Sequence, residues 1–267
     1  MKKVISAPYL IWMAIFVVVP LIMVAYFAFF SDGHFTLDYV ASVSQYTNIF
    51  IRSIWLAAIA TAICLVIAYP VAMILSEMDT NYQGTVLMIV MLPMWMNFLL
   101  RTYAWMTILG NNGVLNQFFG LFGLGPFKML NTQGAVVLGM VYNYLPFMLL
   151  PIYNVIAKID KSVLEAAQDL GCNRAKVILK AVLPLSMPGV MSGITMVFVP
   201  AISTFIISRM LGGGGNLLIG DLIEMQFLGN SYNPNLGAAI SLVLMVIVLL
   251  IMTLMNQFDA DDDRPLI

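Results

Sequence analysis

Six runs of apolar residues dominate this chain of 267 residues, at 8–30, 54–76, 85–109, 134–157, 189–210 and 236–257. About 20 consecutive apolar residues are enough to cross the roughly 30 Å of hydrocarbon in a bilayer. Only 9% of the residues are charged and 61% are hydrophobic, whereas about 25% of a soluble domain is charged. The sequence therefore predicts an all-α, polytopic protein with six transmembrane helices embedded in the lipid bilayer.

The first apolar run follows Lys2 and Lys3, as the apolar part of a signal peptide does. It is about 23 residues long, and no convincing cleavage site of small residues precedes the polar stretch that begins at Ser31. We therefore expect this run to remain in the protein as a membrane anchor.

The distribution of Lys and Arg predicts the orientation, because loops on the cytoplasmic side retain positive charge. With the N-terminus inside, eight of the 12 basic residues fall on the inner side and four at or near the outer side. The inner residues are Lys2, Lys3, Lys158, Lys161, Arg174, Lys176, Lys180 and Arg264, and the outer residues are Arg52, Arg101, Lys128 and Arg209. Both termini are therefore expected in the cytoplasm.

Charge and cysteine content argue against several other classes of protein. A net charge of -1 provides no basic surface for a nucleic-acid backbone. Cys64 lies in an apolar run and Cys172 in a polar loop, so the two should differ in membrane depth and not form a disulfide. His34 is the only histidine. We expect no metal site.

The loop between the fourth and fifth runs, residues 158–188, carries the most specific pattern. Ser162 and Glu165 have the spacing of a capping box, which predicts the start of a helix. Gly171 can adopt the left-handed conformation that ends such a helix. Asn173 is expected to cap a second helix, which Pro184 should end.

Glu165-Ala166-Ala167, Gly171 and Leu183-Pro184 resemble, in residue type and spacing, the EAA-x3-G-x9-I-x-L-P signature of the permeases of ABC importers. One position departs, because Ala181 stands where that family has Ile. Three further stretches, 92–103, 145–153 and 216–227, resemble the permeases of spermidine/putrescine importers. Permeases for iron, thiamine, phosphonates and opines share much of this pattern, so the substrate class stays open.

The resemblance implies a single permease domain over residues 1–267, with 158–188 as its coupling loop. In that family the short helix docks in a cleft of a cytoplasmic ATPase dimer, which binds the ATP and magnesium. The residues expected to couple the chain to the ATPase are Glu165, Ala166, Ala167, Asp169, Gly171 and Pro184. The two alanines allow close approach, and the carboxylates of Glu165 and Asp169, four residues apart, lie on one helical face. The resemblance also implies a second homologous permease and an extracytoplasmic binding protein.

The glycine run at 212–215 is not followed by Gly-Lys-Ser/Thr, so no phosphate-binding loop is predicted. This chain is therefore expected to have no catalytic residues and no cofactor of its own.

Several polar and aromatic residues are candidates for the path of a cationic solute. They are Trp95, Asn97, Arg101, Tyr103, Tyr144, Asp221 and Glu224. Aromatic faces attract cations by about 0.5 to 2 kcal/mol each, but aromatic residues near span ends also form the interfacial belt. Asp221 and Glu224 are three residues apart, so they are expected on one face of a short amphipathic helix, either as carboxylates on the outer approach or simply as its polar face. Arg101 is expected to extend to water or to help close an outer gate.

Two other classes of function compete with this interpretation. An intramembrane enzyme would need a nucleophile with its base, or a metal site, and neither an HExxH nor a GxSxG motif is present. A secondary transporter or channel would be a similar helical bundle. Such proteins usually carry intramembrane ionisable residues or repeated broken helices, and the sequence shows neither clearly.

Overall fold

Long helices make up nearly all of the computed structural model, which describes residues 7–31, 33–229 and 231–260. Lys2, Lys3 and Arg264, used in the orientation argument, lie outside the described residues. Helix α1 covers residues 7–29 as Ala7–Met13, a π-helical turn Ala14–Val18, and Val19–Phe29. The other helices are α2 Asp38–Ser42, α3 Thr47–Glu77, α4 Thr80–Trp95, α5 Phe98–Leu109, α6 Val114–Leu121, α7 Gln133–Ile156, α8 Lys161–Asp169, α9 Arg174–Ile202, α10 Ile219–Leu228 and α11 Pro234–Ala260. A two-stranded hairpin, β1 Phe30–Ser31 with β2 His34–Phe35, follows α1.

Within the described residues, five helical segments are long and apolar enough to span a membrane, or six if the bent pair α4 and α5–α6 forms one span. The predicted all-α fold is confirmed. Predicted spans one, two, four and six correspond to α1, α3, α7 and α11, although α3 begins seven residues before the predicted start at residue 54.

The centre of the bundle is formed by α3, α7 and α9, which pack on one another. The face of α3 toward this centre carries small residues, each at most 1% exposed: Ala57, Ala60, Cys64, Ala68 and Ala72. On α9, a Cβ added to Gly189 would lie 2.8 Å from the Pro151 carbonyl oxygen of α7, and one added to Gly193 would lie 2.8 Å from Met148 Sδ. Small residues therefore allow close helix contact here, where lipid supplies no hydrophobic drive for association.

The prediction of one continuous span at 85–109 is wrong. The chain bends by 86° between Trp95 and Phe98. Pro93, near the end of α4, cannot donate a backbone hydrogen bond, and Asn97 then caps α5, with its Oδ1 accepting from Leu99 N at 2.9 Å and Leu100 N at 3.3 Å. A strong N-cap two residues after a helix end starts a new helix in a new direction.

The predicted fifth span, 189–210, is wrong at both ends, because α9 runs from Arg174 to Ile202. Pro184 does not end the helix that Asn173 begins. A π-helical turn, Ile178–Val182, lies directly before it, and such a turn changes the hydrogen-bond register so that the missing proline N–H is tolerated. The helix predicted to follow Asn173 and the predicted fifth span are thus one continuous helix, α9.

Candidate functional site

The N-terminus of α8 is capped by Asp160, whose Oδ1 accepts a hydrogen bond from Ser162 N at 2.9 Å. The predicted capping box of Ser162 and Glu165 is therefore wrong, because a carboxylate two residues earlier takes the position of the cap. This hydrogen bond to Ser162 holds the pKa of Asp160 below its ordinary value. The side chain of Glu165 is left free of a capping role.

The C-terminus of α8 ends at the predicted glycine. Gly171 has φ of +81°, its N–H donates to the Gln168 carbonyl oxygen at 2.8 Å, and Cys172 N–H donates to that of Ala167 at 3.1 Å. These two bonds are the Schellman arrangement, which satisfies the last carbonyl groups of a helix. The next helix starts at Asn173, whose Oδ1 accepts from Lys176 N at 2.9 Å, as predicted.

The outward side of α8 combines carboxylates with apolar groups. Glu165, Ala166 and Asp169 are exposed, whereas Leu164 and Ala167 face the bundle. Leu170, at the end of the helix, is 86% exposed. The sequence pattern did not single out this leucine, because an apolar residue beside a C-cap glycine more often packs on its own helix. The exposed face of Glu165, Ala166, Asp169 and Leu170 is referred to below as the coupling face.

An ion pair joins the start of α9, directly after α8, to the end of α3. Arg174 Nη2 lies 2.5 Å from Glu77 Oε2 at the end of α3, and both side chains are largely exposed. The cleft beside this pair is lined by Met73, Gln168 and Cys172 among others. Two residues 97 positions apart in the chain thus hold the end of α3 to the start of α9.

Two predicted path residues, Trp95 and Asn97, lie at the bend between α4 and α5, and Tyr103 lies further along α5. Trp95 is 78% exposed, and Asn97 and Tyr103 are exposed as well. None of residues 81–95 of α4 is buried against the rest of the described chain. A helix break cannot face lipid hydrocarbon, because its backbone groups find no hydrogen-bond partner there. This bend is therefore suited to a wet path or to a protein neighbour.

The other two intramembrane candidates are buried within the chain. The prediction that Arg101 extends to water is wrong, because it is only 8% exposed. Its guanidinium lies 5.9 Å from the Phe98 ring centroid, and its Nε and Nη1 have no hydrogen-bond partner within the described residues. Tyr144 is also buried and donates to the Pro200 carbonyl oxygen at 3.3 Å.

Asp221 and Glu224 have different surroundings although they share α10. Asp221 is 0% exposed, accepts from Leu218 N at 2.8 Å, and has a pKa raised by burial. Glu224 forms an ion pair with Arg209. The structure therefore does not present the two as a pair of open carboxylates.

The chain is similar to a protein family, to relatives of known name and to a solved structure. A family described as "Binding-protein-dependent transport system inner membrane component" matches residues 1–261. The spermidine/putrescine transport system permease protein PotB of Haemophilus influenzae is 38% identical over 251 residues, covering 90% of this chain and 87% of that protein. The corresponding protein of Escherichia coli K12 is 36% identical, covering 89% and 90%. In structure, the chain resembles a subunit of a bacterial ABC transporter involved in alginate import, with a TM-score of 0.80 and 20% identity over 98% of this chain and 96% of the other.

Proposed function

Because the chain belongs to the family of binding-protein-dependent transport system inner membrane components, we propose that it is the permease subunit of an ATP-driven importer. Residues 1–267 then form one permease domain that provides half of a translocation path. Residues 158–188 are its coupling loop, which an ATPase dimer moves from the cytoplasmic side. In this orientation both termini are cytoplasmic.

The coupling face of α8 is the observation that carries this proposal. Its helix is capped at both ends by its own chain, so it keeps its shape without a partner. Its carboxylates at Glu165 and Asp169 have no ion-pair partner within the described residues. An exposed leucine next to two carboxylates suits a cleft with an apolar floor and basic or amide groups at its rim.

The number of clefts in an ATPase dimer and the structure of a related transporter support the remaining partners. An ATPase dimer offers two clefts and this chain supplies one coupling helix, so a second permease completes the assembly, and the family precedent favours a homologous subunit over an identical copy. A related structure contains a bacterial alginate ABC transporter in complex with a substrate-bound periplasmic protein. By analogy, an extracytoplasmic binding protein delivers solute here, while ATP and magnesium stay with the ATPase.

Polyamines are the solute class that we favour, since relatives at 36% to 38% identity are named for spermidine and putrescine transport. A polyamine carries several charges, each costing roughly 3 kcal/mol at mid-bilayer, so its path must be wet. Exposed Trp95 at the bend and exposed Tyr103 in α5 provide aromatic faces for such a cation. The candidates Asn97, Arg101, Tyr144, Asp221 and Glu224 act more indirectly in this proposal, because each is either a helix cap, buried or already paired.

Charge reversal on the coupling face tests the ATPase role. Glu165→Lys in the assembled transporter should reduce ATP-driven uptake into proteoliposomes to background, while membrane insertion and the size-exclusion profile stay unchanged. Asp79→Lys is the matched control, because it reverses an exposed carboxylate in the loop before α4 that makes no capping hydrogen bond. Normal uptake by Glu165→Lys would refute the coupling role.

The solute is tested separately. The extracytoplasmic binding protein purified with the transporter should retain spermidine or putrescine, and these should compete for uptake. Retention of iron, thiamine, a phosphonate or an opine would replace the polyamine assignment and leave the coupling role intact. Uptake driven by a proton or sodium gradient, without ATPase, would instead reject the importer mechanism.

A further inference from the structure

Helix α6, in the connection between α5 and α7, carries an apolar stripe that faces away from the chain. Val114, Phe118, Leu121 and Phe122 follow the spacing of one helical face and are between 54% and 82% exposed. The next apolar residues, Leu124 and Phe127, are also exposed. Soluble proteins rarely expose a contiguous apolar patch of this kind, and such a patch usually marks a site that contacts a membrane, a ligand or another protein.

The stripe is held in a fixed orientation. Asn116, on the inward side of α6, donates through Nδ2 to the carbonyl oxygens of Gly110 and Phe127, both at 3.0 Å. Its Oδ1 accepts from Phe127 N at 2.8 Å. At Gly113 an added Cβ would lie 2.4 Å from the Ile108 carbonyl oxygen, so the turn before α6 packs directly on the end of α5. These hydrogen bonds and this close packing therefore hold α6 and its exposed aromatic rings in place.

The two sides of this loop differ in chemistry. On one side, a hollow is lined by the amide side chains of Asn111, Asn112 and Gln117, together with glycines and Leu124. On the apolar side, the phenylalanines pack edge to face, with Phe118 and Phe122 centroids 5.2 Å apart. This division between a polar side and an aromatic side matches a helix that lies flat in a membrane interface.

We propose that α6 lies in the interface of the extracytoplasmic leaflet, with its stripe inserted among phospholipid acyl chains. Only four residues separate α6 from the end of the apolar helix α5, and the spanning helix α7 begins at Gln133, so the stripe lies close in the chain to the membrane. No Asp or Glu occurs between residues 80 and 159, so no carboxylate there would repel lipid phosphate. Lys128, beside Phe127, is exposed and provides a cation for that phosphate.

Fluorescence quenching tests this placement. A bimane probe is attached at Leu121→Cys or Phe118→Cys in the full-length transporter, with Cys172→Ser and the buried Cys64 retained. The samples are nanodiscs of phosphatidylethanolamine and phosphatidylglycerol, with or without bromine on the acyl chains. Both stripe probes should lose several-fold more fluorescence to bromolipid than a probe at the exposed Asn112→Cys, which should instead respond to aqueous iodide.

Two outcomes overturn the proposal. Stripe probes quenched by iodide and not by bromolipid would place α6 in water. Probes that resist both quenchers, and become open to iodide once the binding protein is removed, would identify a protein as the partner of the stripe. Two independent stripe positions guard against misfolding of either single variant.

Discussion

Two short helices between spans, α8 and α10, are nearly equal in length but are held in opposite ways. None of the described side chains of α8 is buried, and its ends are closed by Asp160 and by the Gly171 turn. In α10 five residues are buried: Ile219, Gly220, Asp221, Leu222 and Gln226. The first helix exposes its side chains, and the second is packed inside the chain. Exposure, more than length or capping, therefore distinguishes the helix for which we propose docking from the helix that packs.

The largest expected effect is on α10, from Gly220→Ala. The added Cβ would lie 2.4 Å from the Ser203 carbonyl oxygen and 2.5 Å from that of Thr204. Those are backbone atoms and cannot rotate away, so we expect a loss of about 1–3 kcal/mol from overpacking. The thermal midpoint by size-exclusion chromatography in detergent should fall clearly, and uptake should fall with the amount of folded protein. A thermal midpoint equal to that of the wild type would show that α10 can move to accommodate the added methyl group and is not tightly packed.

Gly171→Ala is the matched change on α8. No atom lies within 4 Å of the added Cβ, but φ is +81°, and a side chain in this region costs roughly 1–2 kcal/mol. Because only the end of an exposed helix is strained, folded yield should stay near wild type while ATP-driven uptake decreases. The ratio of uptake to folded protein is the measurement. A loss of folded protein equal to that of Gly220→Ala would contradict the distinction between the two helices.

The Glu77–Arg174 ion pair, which joins α3 to the start of α9 directly after α8, predicts a smaller effect. Exposed pairs contribute about 0–1 kcal/mol, so reversing one charge should barely change the thermal midpoint. If the pair keeps α8 aligned with the end of α3, Glu77→Arg or Arg174→Glu alone should lower uptake. The double variant Glu77→Arg with Arg174→Glu should recover much of it. Equal uptake by the wild type, the two single variants and the double variant would show that the ion pair has no role in transport.

These helices also show which features can be predicted from sequence. Gly171 was predictable because the left-handed conformation leaves few alternatives to glycine, and Asn173 because caps are local. The cap at Asp160 was missed since two neighbouring residues could cap, and local spacing does not decide between them. Asp221 is buried beside Gly220, which packs on the carbonyl groups of residues 203–204 in the turn after α9, and no local pattern encodes such a tertiary contact.

The spans show the same division between local and tertiary information. Apolar length predicted 134–157 almost to the residue, because α7 is packed along its whole length and ends where polarity begins. The same criterion missed the 86° bend at Trp95–Phe98, since a run of apolar residues looks alike whether it is straight or broken. Asn97 was singled out for the path, and its capping role became evident only from its two backbone donors.

The smallest expected effect is a contrast in pH dependence between the two helices. At α8 the pKa of Asp160 is lowered by its hydrogen bond from Ser162, so the cap is fully present above the ordinary value of 3.8 and is lost as the pH falls through the lowered value. At α10 burial raises the pKa of Asp221, so the protonated form suits the fold, and stability rises as the pH falls from the raised value toward 3.8. Hydrogen exchange of the chain is measured in nanodiscs while the pH is lowered, and the rates are corrected for intrinsic exchange. Helix α10 should gain protection as the pH falls toward 3.8, whereas α8 should lose protection only once the pH is below 3.8. Asp160→Asn and Asp221→Asn keep the shape of each side chain without its titration, so each should abolish only its own helix's response; a response that survives in its own variant would assign it to another group.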